Sequence, residues 1–211
     1  MRKHLVWDWN GTLLNDFAAI VASTNEAVEQ LAGQQLSADE HRERFYRPII
    51  DFYSELIGRR LSTDEFAGLD ARFHTSYDRR LAACGLAADA RDAIATWPGS
   101  QSLLSMWFHD QLVPLVDRYG LTGSFARVDG LRDESSESKR PHLVQHLTAL
   151  GFDGHDCVLI GDSVDDGVAA TASGAACVLY GGGFTAPGKL RETGHPVATT
   201  LTEAIAIARE L

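Results

Sequence analysis

With 211 residues, 45% of them apolar and 23% charged, the chain is long enough to bury a proper core and too apolar for a disordered segment. Acidic side chains outnumber basic ones 29 to 19, and the resulting net charge of −10 excludes general affinity for nucleic acid, which needs clustered Lys and Arg. No apolar run reaches membrane-spanning length and the N-terminus lacks a signal peptide's apolar core; the 3 scattered cysteines (Cys84, Cys157, Cys177) suit buried thiols of a cytoplasmic protein better than a metal or disulfide framework.

The first predicted element is a strand. In KHLVWDWNGTLLND an apolar run (Leu5, Val6, Trp7) ends on Asp8 and is followed by a glycine turn, so a strand delivers a carboxylate to a loop. Residues 15–90 then read as consecutive amphipathic helices without strands: FAAIVASTNEAVEQLAG, SADEHRERFYRP, IDFYSELIGRRL and TDEFAGLDARFHTSYDRRLAACG, with Ser37 and Thr63 as expected N-caps. From Leu103 onward apolar runs alternate with helical patterns. LLSM precedes HDQLVPLVDRYG, ARVDG (126–130) reads as a short strand, and PHLVQHLTALG places Leu143, Val144, Leu147 and Leu150 on one face, with Gly151 as its stop. CVLIGD is a buried strand, VDDGVAATASGA a helix and ACVLY another strand, before PVATT and LTEAIAIAREL close the sequence. Strand–helix alternation implies an α/β fold: a doubly wound parallel-sheet core over 1–14 and 91–211, with an all-helical insert over 15–90. Joints between the two are expected near Asn15-Asp16 and Trp97-Pro98-Gly99.

Five polar residues share one property: Asp8, Ser105, Lys139, Asp162 and Asp166 each stand at a strand end or a helix start. Ligands of doubly wound sheets bind at such strand ends. Phosphoryl transfer uses all of them together, because it needs an anionic nucleophile, a cation that lets two anions meet, and donors around the phosphoryl oxygens. Oxygen ligands without surrounding His or Cys favour Mg²⁺. Singly, each has a plainer explanation: Asp before Asn-Gly is also a turn, and acidic residues at a helix start also answer the dipole.

Taken in order, these residues resemble the motifs of the haloacid dehalogenase superfamily, in its phosphoglycolate-phosphatase-like branch. The first motif, Asp-x-Asp-Gly-Thr-Leu, is seen as Asp8-Trp9-Asn10-Gly11-Thr12-Leu13; the second as Ser105 in SLLSM; the third as Lys139 in SKRPH; the fourth as Gly161-Asp162-Ser163-Val164-Asp165-Asp166. The resemblance implies that Asp8 attacks phosphorus, that Mg²⁺ is held by Asp8, Asp162, the backbone carbonyl of Asn10 and Asp166 (directly or through water), and that Ser105, Lys139 and the N–H groups around Gly11 bind the phosphoryl oxygens. Arg140 rivals Lys139 for the phosphate role. The helical insert matches the family's cap, where Arg47 stands next to Pro48. The implied partner is a small phosphorylated metabolite, with no nucleic acid and no membrane, for a monomer or homodimer.

One motif position departs from the pattern. Asn10 stands where the family carries the acid that protonates the leaving oxygen, a service worth about 10² to 10⁴ in rate. Either turnover persists more slowly, or His109 or His74 substitutes, or the protein binds a phosphorylated ligand without cleaving it. Phosphonate hydrolysis, which would need a lysine in the insert, is disfavoured because 15–90 contains none. A metal-free dehalogenase fits the metal-site pattern poorly.

Overall fold

The computed structural model describes residues 3–132 and 138–211. In chain order the elements are β1 (His4–Trp7), β2 (Leu14–Asn15), α1 (Phe17–Glu29), α2 (Ala38–Arg44), α3 (Ile49–Ile57), α4 (Thr63–Leu81), β3 (Gly85–Leu86), α5 (Ala90–Thr96), β4 (Gln101–Phe108), α6 (His109–Arg118), β5 (Val128–Leu131), α7 (Arg140–Leu150), β6 (Cys157–Gly161), α8 (Val164–Ser173), β7 (Ala176–Tyr180), α9 (Pro187–Glu192), β8 (Val197–Ala198) and α10 (Leu201–Ala208). They fall into two compact units, one of Met1–Leu14 with Leu86–Leu211 and one of Asn15–Gly85. Leu86 to Ala90, expected in the insert, belong to the core: Ala87 N–H donates to the Leu13 carbonyl at 2.9 Å, and Ala90 is fully buried. The joint expected at Trp97–Gly99 therefore lies inside the core, between α5 and β4.

The core unit is built on a six-stranded sheet of order β5-β4-β1-β6-β7-β8, parallel at every pairing. Every residue of β1 and β6 is buried, as strands covered on both faces require. On one face, Val6, Leu104, Leu159, Cys177 and Leu179 pack with Leu143 and Leu147 of α7 and Ala169 and Ala170 of α8. Elsewhere α10 packs on β7, β8 and α5. β1 lies at the centre: the chain builds outward through β4 and β5 on one side, then returns to build β6, β7 and β8 on the other. The carboxyl ends of β1, β4 and β6 thus flank the point where strand order reverses, where doubly wound sheets bind ligands. Among the described residues no helix is long and apolar enough to cross a membrane.

Two details depart from the hydrophobic pattern. In α7 the buried residues are Leu143, His146 and Leu147, whereas Val144 is exposed. His146 can be inside because both ring nitrogens are used: Nδ1 meets Asp129 Oδ2 at 2.8 Å and Nε2 meets Ser102 Oγ at 2.7 Å. The second expected N-cap moves one residue: Ser62, not Thr63, accepts from Glu65 N–H, and the Glu65 carboxylate accepts in return from Ser62 N–H at 3.0 Å. Ser37 and Glu40 form the same reciprocal pair at α2, as the sequence suggests.

The second unit consists of α1 to α4 around Ala27, Val28, Leu36, Phe52, Tyr53, Leu56, Leu61 and Leu69. Tyr77 donates its hydroxyl to buried Asp16 at 2.6 Å. His41 is also buried, with ring centroids of Phe17, Phe45 and Phe52 at 5.6, 5.3 and 5.6 Å, and neither ring nitrogen has a hydrogen-bond partner among the described residues. Burial, helped by the neighbouring Arg42 charge, lowers its pKa to about 4. The unfolded chain therefore takes a proton here near pH 6.5 while the folded unit does not. Stability is complete above about pH 6.5 and is lost progressively as pH falls toward 4, by about 3 kcal/mol in all. A His41→Leu chain is expected to lose this part of the acid sensitivity in urea unfolding at pH 7 and 4.5. An acid response identical to the parent's would remove His41 as its source.

Candidate active site

Asp8 is the first residue past β1, and its N–H donates to the Ile160 carbonyl of β6 at 2.8 Å, so the neighbouring strand fixes where the carboxylate starts. The turn that follows is closed by three backbone bonds: Thr12 N–H and Leu14 N–H donate to the Trp9 carbonyl at 3.2 and 2.8 Å, and Gly11 N–H donates to the Leu14 carbonyl at 3.1 Å. Gly11 has φ +73°, a left-handed conformation, and a Cβ there would lie 2.5 Å from Asp162 Oδ2. Its N–H, assigned to phosphate by resemblance, is thus engaged within the turn, and the residue's visible role is to let the turn pass Asp162.

Asp162 follows β6, and Asp166 lies in the first turn of α8. Ser163 caps that helix: Asp166 N–H donates to Ser163 Oγ at 3.2 Å, while Asp166 Oδ2 accepts from Ser163 N–H at 3.0 Å and from its hydroxyl at 2.6 Å. This pins one oxygen of Asp166 and leaves Oδ1 for Lys139 Nζ, 2.5 Å away. Lys139 stands just before α7, its backbone N–H held by Asp165 Oδ2 at 2.9 Å, and its ammonium donates to both Asp166 and Asp8. Lys139 is 2% exposed and turned into the carboxylate cluster, whereas Arg140 is exposed.

Asp8, Asp162 and Asp166 are all buried, and each offers a carboxylate oxygen within 4.8 Å of the other two. Burial pushes the Asp8 carboxyl up to about 6; the Lys139 charge pulls it back and the Asp166 charge adds to the rise. Asp162 is raised well above the carboxylate range by burial and then by the charges of Asp8 and Asp166, against the pull of Phe184 N–H (2.6 Å) and the Thr12 hydroxyl (3.0 Å). For Lys139 burial favours the neutral amine, but the two carboxylates more than offset it and hold the ammonium above its ordinary pKa. With all groups ionised, three negative charges would face one positive charge in a closed space. A divalent cation answers that deficit, and an all-oxygen donor set fits a hard one.

Ser105, in β4, donates its hydroxyl to Asn10 Oδ1 at 3.1 Å and accepts from Trp107 N–H at 3.1 Å. Asn10 therefore faces the serine as a fixed amide acceptor. The structure gathers Asp8, Asn10, Gly11, Ser105, Lys139, Asp162 and Asp166 at the carboxyl ends of adjacent parallel strands. His109 lies beyond the end of the same strand as Ser105, but its nitrogens face Gly130 N–H and Arg132. His74 and Arg47 belong to the helical unit, where His74 Nε2 faces Asp70 at 3.3 Å. Sequence reasoning missed Thr12, Ser163 and Phe184. The cap pattern Ser163-x-x-Asp166 and the Gly181-Gly182-Gly183 run ahead of Phe184 were their available signals.

Comparison with known proteins follows the same lines. The HAD-hydrolase-like family model matches residues 138–204, the segment from Lys139 through Asp162 and Asp166 to the loop of Phe184. The phosphoglycolate phosphatase of Chromobacterium violaceum is 24% identical over 206 residues, covering 86% of each chain. Among solved structures, a predicted phosphatase from Clostridium acetobutylicum superposes with TM-score 0.85 at 14% identity over 100% of both chains. A haloacid dehalogenase-like hydrolase from Streptococcus pneumoniae gives 0.83 at 16% identity over 97% of each. These structural likenesses establish the fold.

Gly183 provides a test of how tightly the site is built. A Cβ there would sit 2.1 Å from Asp162 Oδ2, whereas one at Gly188 in α9 meets nothing within 4 Å. Gly183→Ala is expected to cost about 1–3 kcal/mol in urea unfolding, because Asp162 or the Phe184 loop must shift. Gly188→Ala should be neutral or stabilising. Equal effects would show that the loop does not press on Asp162.

Proposed function

We propose that this chain, which belongs with the haloacid dehalogenase-like hydrolases by its fold and by the sequence of residues 138–204, is a Mg²⁺-dependent phosphatase of small phosphomonoesters. The observation that carries this reading is the cluster itself: three buried carboxylates around one buried ammonium, with a serine hydroxyl on the same strand-end platform. Asp8, Asp162 and Asp166, with the Asn10 carbonyl, are the groups that would hold the cation. When bound, it would reduce the repulsion between the Asp8 carboxylate and a phosphate dianion.

In the proposed reaction an Asp8 carboxylate oxygen attacks phosphorus, the bond to the ester oxygen breaks, and the phosphoryl group rests on Asp8 until water removes it. Lys139 keeps the Asp8 carboxylate ionised and oriented, and is positioned to follow the charge as it moves onto the phosphoryl oxygens. Ser105 supplies a hydroxyl donor, at present given to Asn10. Asn10 cannot release a proton, so an alkoxide must leave with little help and water must attack phospho-Asp8 without a carboxylate base. Substrates with acidic leaving groups suit this site best. The residues of 15–85 take the place in the chain of the family's helical cap, and three free thiols suit a cytoplasmic setting. The Chromobacterium relative makes phosphoglycolate the first ester to assay.

Asn10 also favours a second reading, a protein that binds phosphate esters without cleaving them. Phosphate release from a panel of phosphomonoesters, with and without Mg²⁺, separates the two. Turnover that needs Mg²⁺ and vanishes in Asp8→Asn supports the phosphatase; binding without release supports the second reading.

The amide itself makes a sharper prediction. Asn10→Asp is expected to raise turnover of alkyl phosphates by up to about 10²-fold, and of an activated aryl phosphate by less, because only the alkoxide needs a proton to leave. If water attack on phospho-Asp8 limits the parent, both substrates gain alike. A variant that accelerates neither would show that Asn10 is not what limits the chemistry.

A further inference from the structure

We propose that His109 and Arg132 form an oxyanion-binding site beyond the carboxyl ends of β4 and β5, and that it takes a second anionic group of the substrate, a carboxylate or a second phosphate. This rests on the phosphatase reading and narrows its substrates to phosphomonoesters with a charged tail. The starting observation is a conflict of donors. Gly130 N–H donates to His109 Nδ1 at 3.2 Å, while Arg132 Nη2 stands 3.1 Å from His109 Nε2. A neutral imidazole has one donor nitrogen and one acceptor nitrogen, and a guanidinium has donors only. Both ring nitrogens therefore face donors, and only one can accept.

The backbone decides which. A Cβ at Gly130 would lie 2.4 Å from the Trp107 carbonyl oxygen and 2.9 Å from His109 N, so the two strand ends are pressed together and the Gly130 amide has no room to turn away. Nδ1 is thus the acceptor and Nε2 carries the proton. Among the described residues no acceptor lies between Nε2–H and the Arg132 N–H groups, an arrangement that an oxyanion bridging the two would satisfy.

The charges nearby do not remove the need. Asp129 Oδ1 is 3.6 Å from Arg132 Nη2, beyond a good hydrogen bond, and Asp129 Oδ2 is already shared by Arg127 and His146 Nδ1. Arg132 is 62% exposed along its side chain, open to a ligand from solvent. His109 is also the first residue of α6, whose N-cap, Phe108, offers no side-chain acceptor, while Asp110 of the same first turn answers the helix dipole.

The pair lies along the same strand end as the candidate site. His109 is four positions beyond Ser105 along the same strand, at most about 13 Å at an extended rise, and the irregular pairing of β4 between Leu104 and Phe108 shortens that. An anion bridging His109 and Arg132 would hold the leaving group while its phosphoryl end lies among Ser105, Lys139 and Asp8.

The test compares two uncleavable probes, 3-phosphonopropionate and propylphosphonate, by calorimetry on the whole Mg²⁺-supplied protein. The carboxylate-bearing probe is expected to bind about tenfold tighter or better, the scale of a charged hydrogen bond, and the ratio is expected to collapse toward one in Arg132→Gln and in His109→Gln. A ratio near one in the parent, or one that survives both substitutions, overturns the substrate-tail assignment. Sulfate and acetate, titrated separately against the His109 ring resonances, distinguish a free-anion site. Saturable movement lost in Arg132→Gln upholds the oxyanion site even if neither phosphonate binds, in which case it is the phosphatase reading that fails. No movement with any probe overturns the site altogether.

Discussion

Three carboxylates share a buried space with one ammonium, and much of the core's construction serves to keep them there. Removing one partner of a buried ion pair typically costs about 3–5 kcal/mol, because the charge left behind has neither water nor a counter-ion. Here each acid is instead given its own support. Lys139 donates to Asp8 and Asp166, the Ser163 cap takes the other oxygen of Asp166, and Thr12 with the Phe184 amide holds Asp162. These supports come from the ends of β1 and β6, the starts of α7 and α8 and the loop after β7, so the site exists only when the parallel sheet is assembled. Burial still raises the Asp8 and Asp162 carboxyls above their ordinary range, against the pull of these supports.

A second buried polar system shows the same rule without the charge deficit. One consistent assignment of protons runs through it: the Ser100 hydroxyl donates to His4 Nδ1, His4 Nε2–H to Ser102 Oγ, the Ser102 hydroxyl to His146 Nε2, and His146 Nδ1–H to Asp129. Each group gives one proton and receives one until the chain ends on a carboxylate. Serine, histidine and aspartate stand here in the order of a hydrolytic triad, but Ser102 is fully buried, so no substrate reaches it. The network stitches β1, β4, β5 and α7 together, and it is a sufficient reason for polar residues in that layer.

Legibility from sequence followed the range of the interactions. The strand-end positions of Asp8 and Asp162 were readable because a short continuous apolar run that stops on an acid has few other meanings in an alternating α/β chain. Asp166 and the α8 start were readable for a similar reason. His146 was not, since its place inside depends on Asp129 and Ser102, far away in sequence, and periodicity favoured Val144 instead. The contribution of Phe184 was hidden because it is a backbone amide, which no residue type advertises. Likewise α9 sits in a stretch whose glycines and proline interrupt any helical apolar pattern. Lys139 and Arg140 differ by one position, and only the geometry of the turn into α7 sends one inward and the other out.

In the proposed reaction Asp8, rather than Asp162 or Asp166, is the group that accepts the phosphoryl. Asp8 meets the ammonium through Oδ1, whereas Asp162 is held by the Thr12 hydroxyl and the Phe184 amide and Asp166 is committed to the α8 cap. The direct measurement is acid quenching during turnover of an activated aryl phosphate, followed by peptide mass analysis. Phosphoryl transfer through Asp8 predicts one added phosphoryl group on the peptide containing Asp8, at higher occupancy in the native protein than in Asn10→Asp. Sustained turnover with no phosphoryl group on that peptide, or with the group on Asp162 or Asp166, would contradict it.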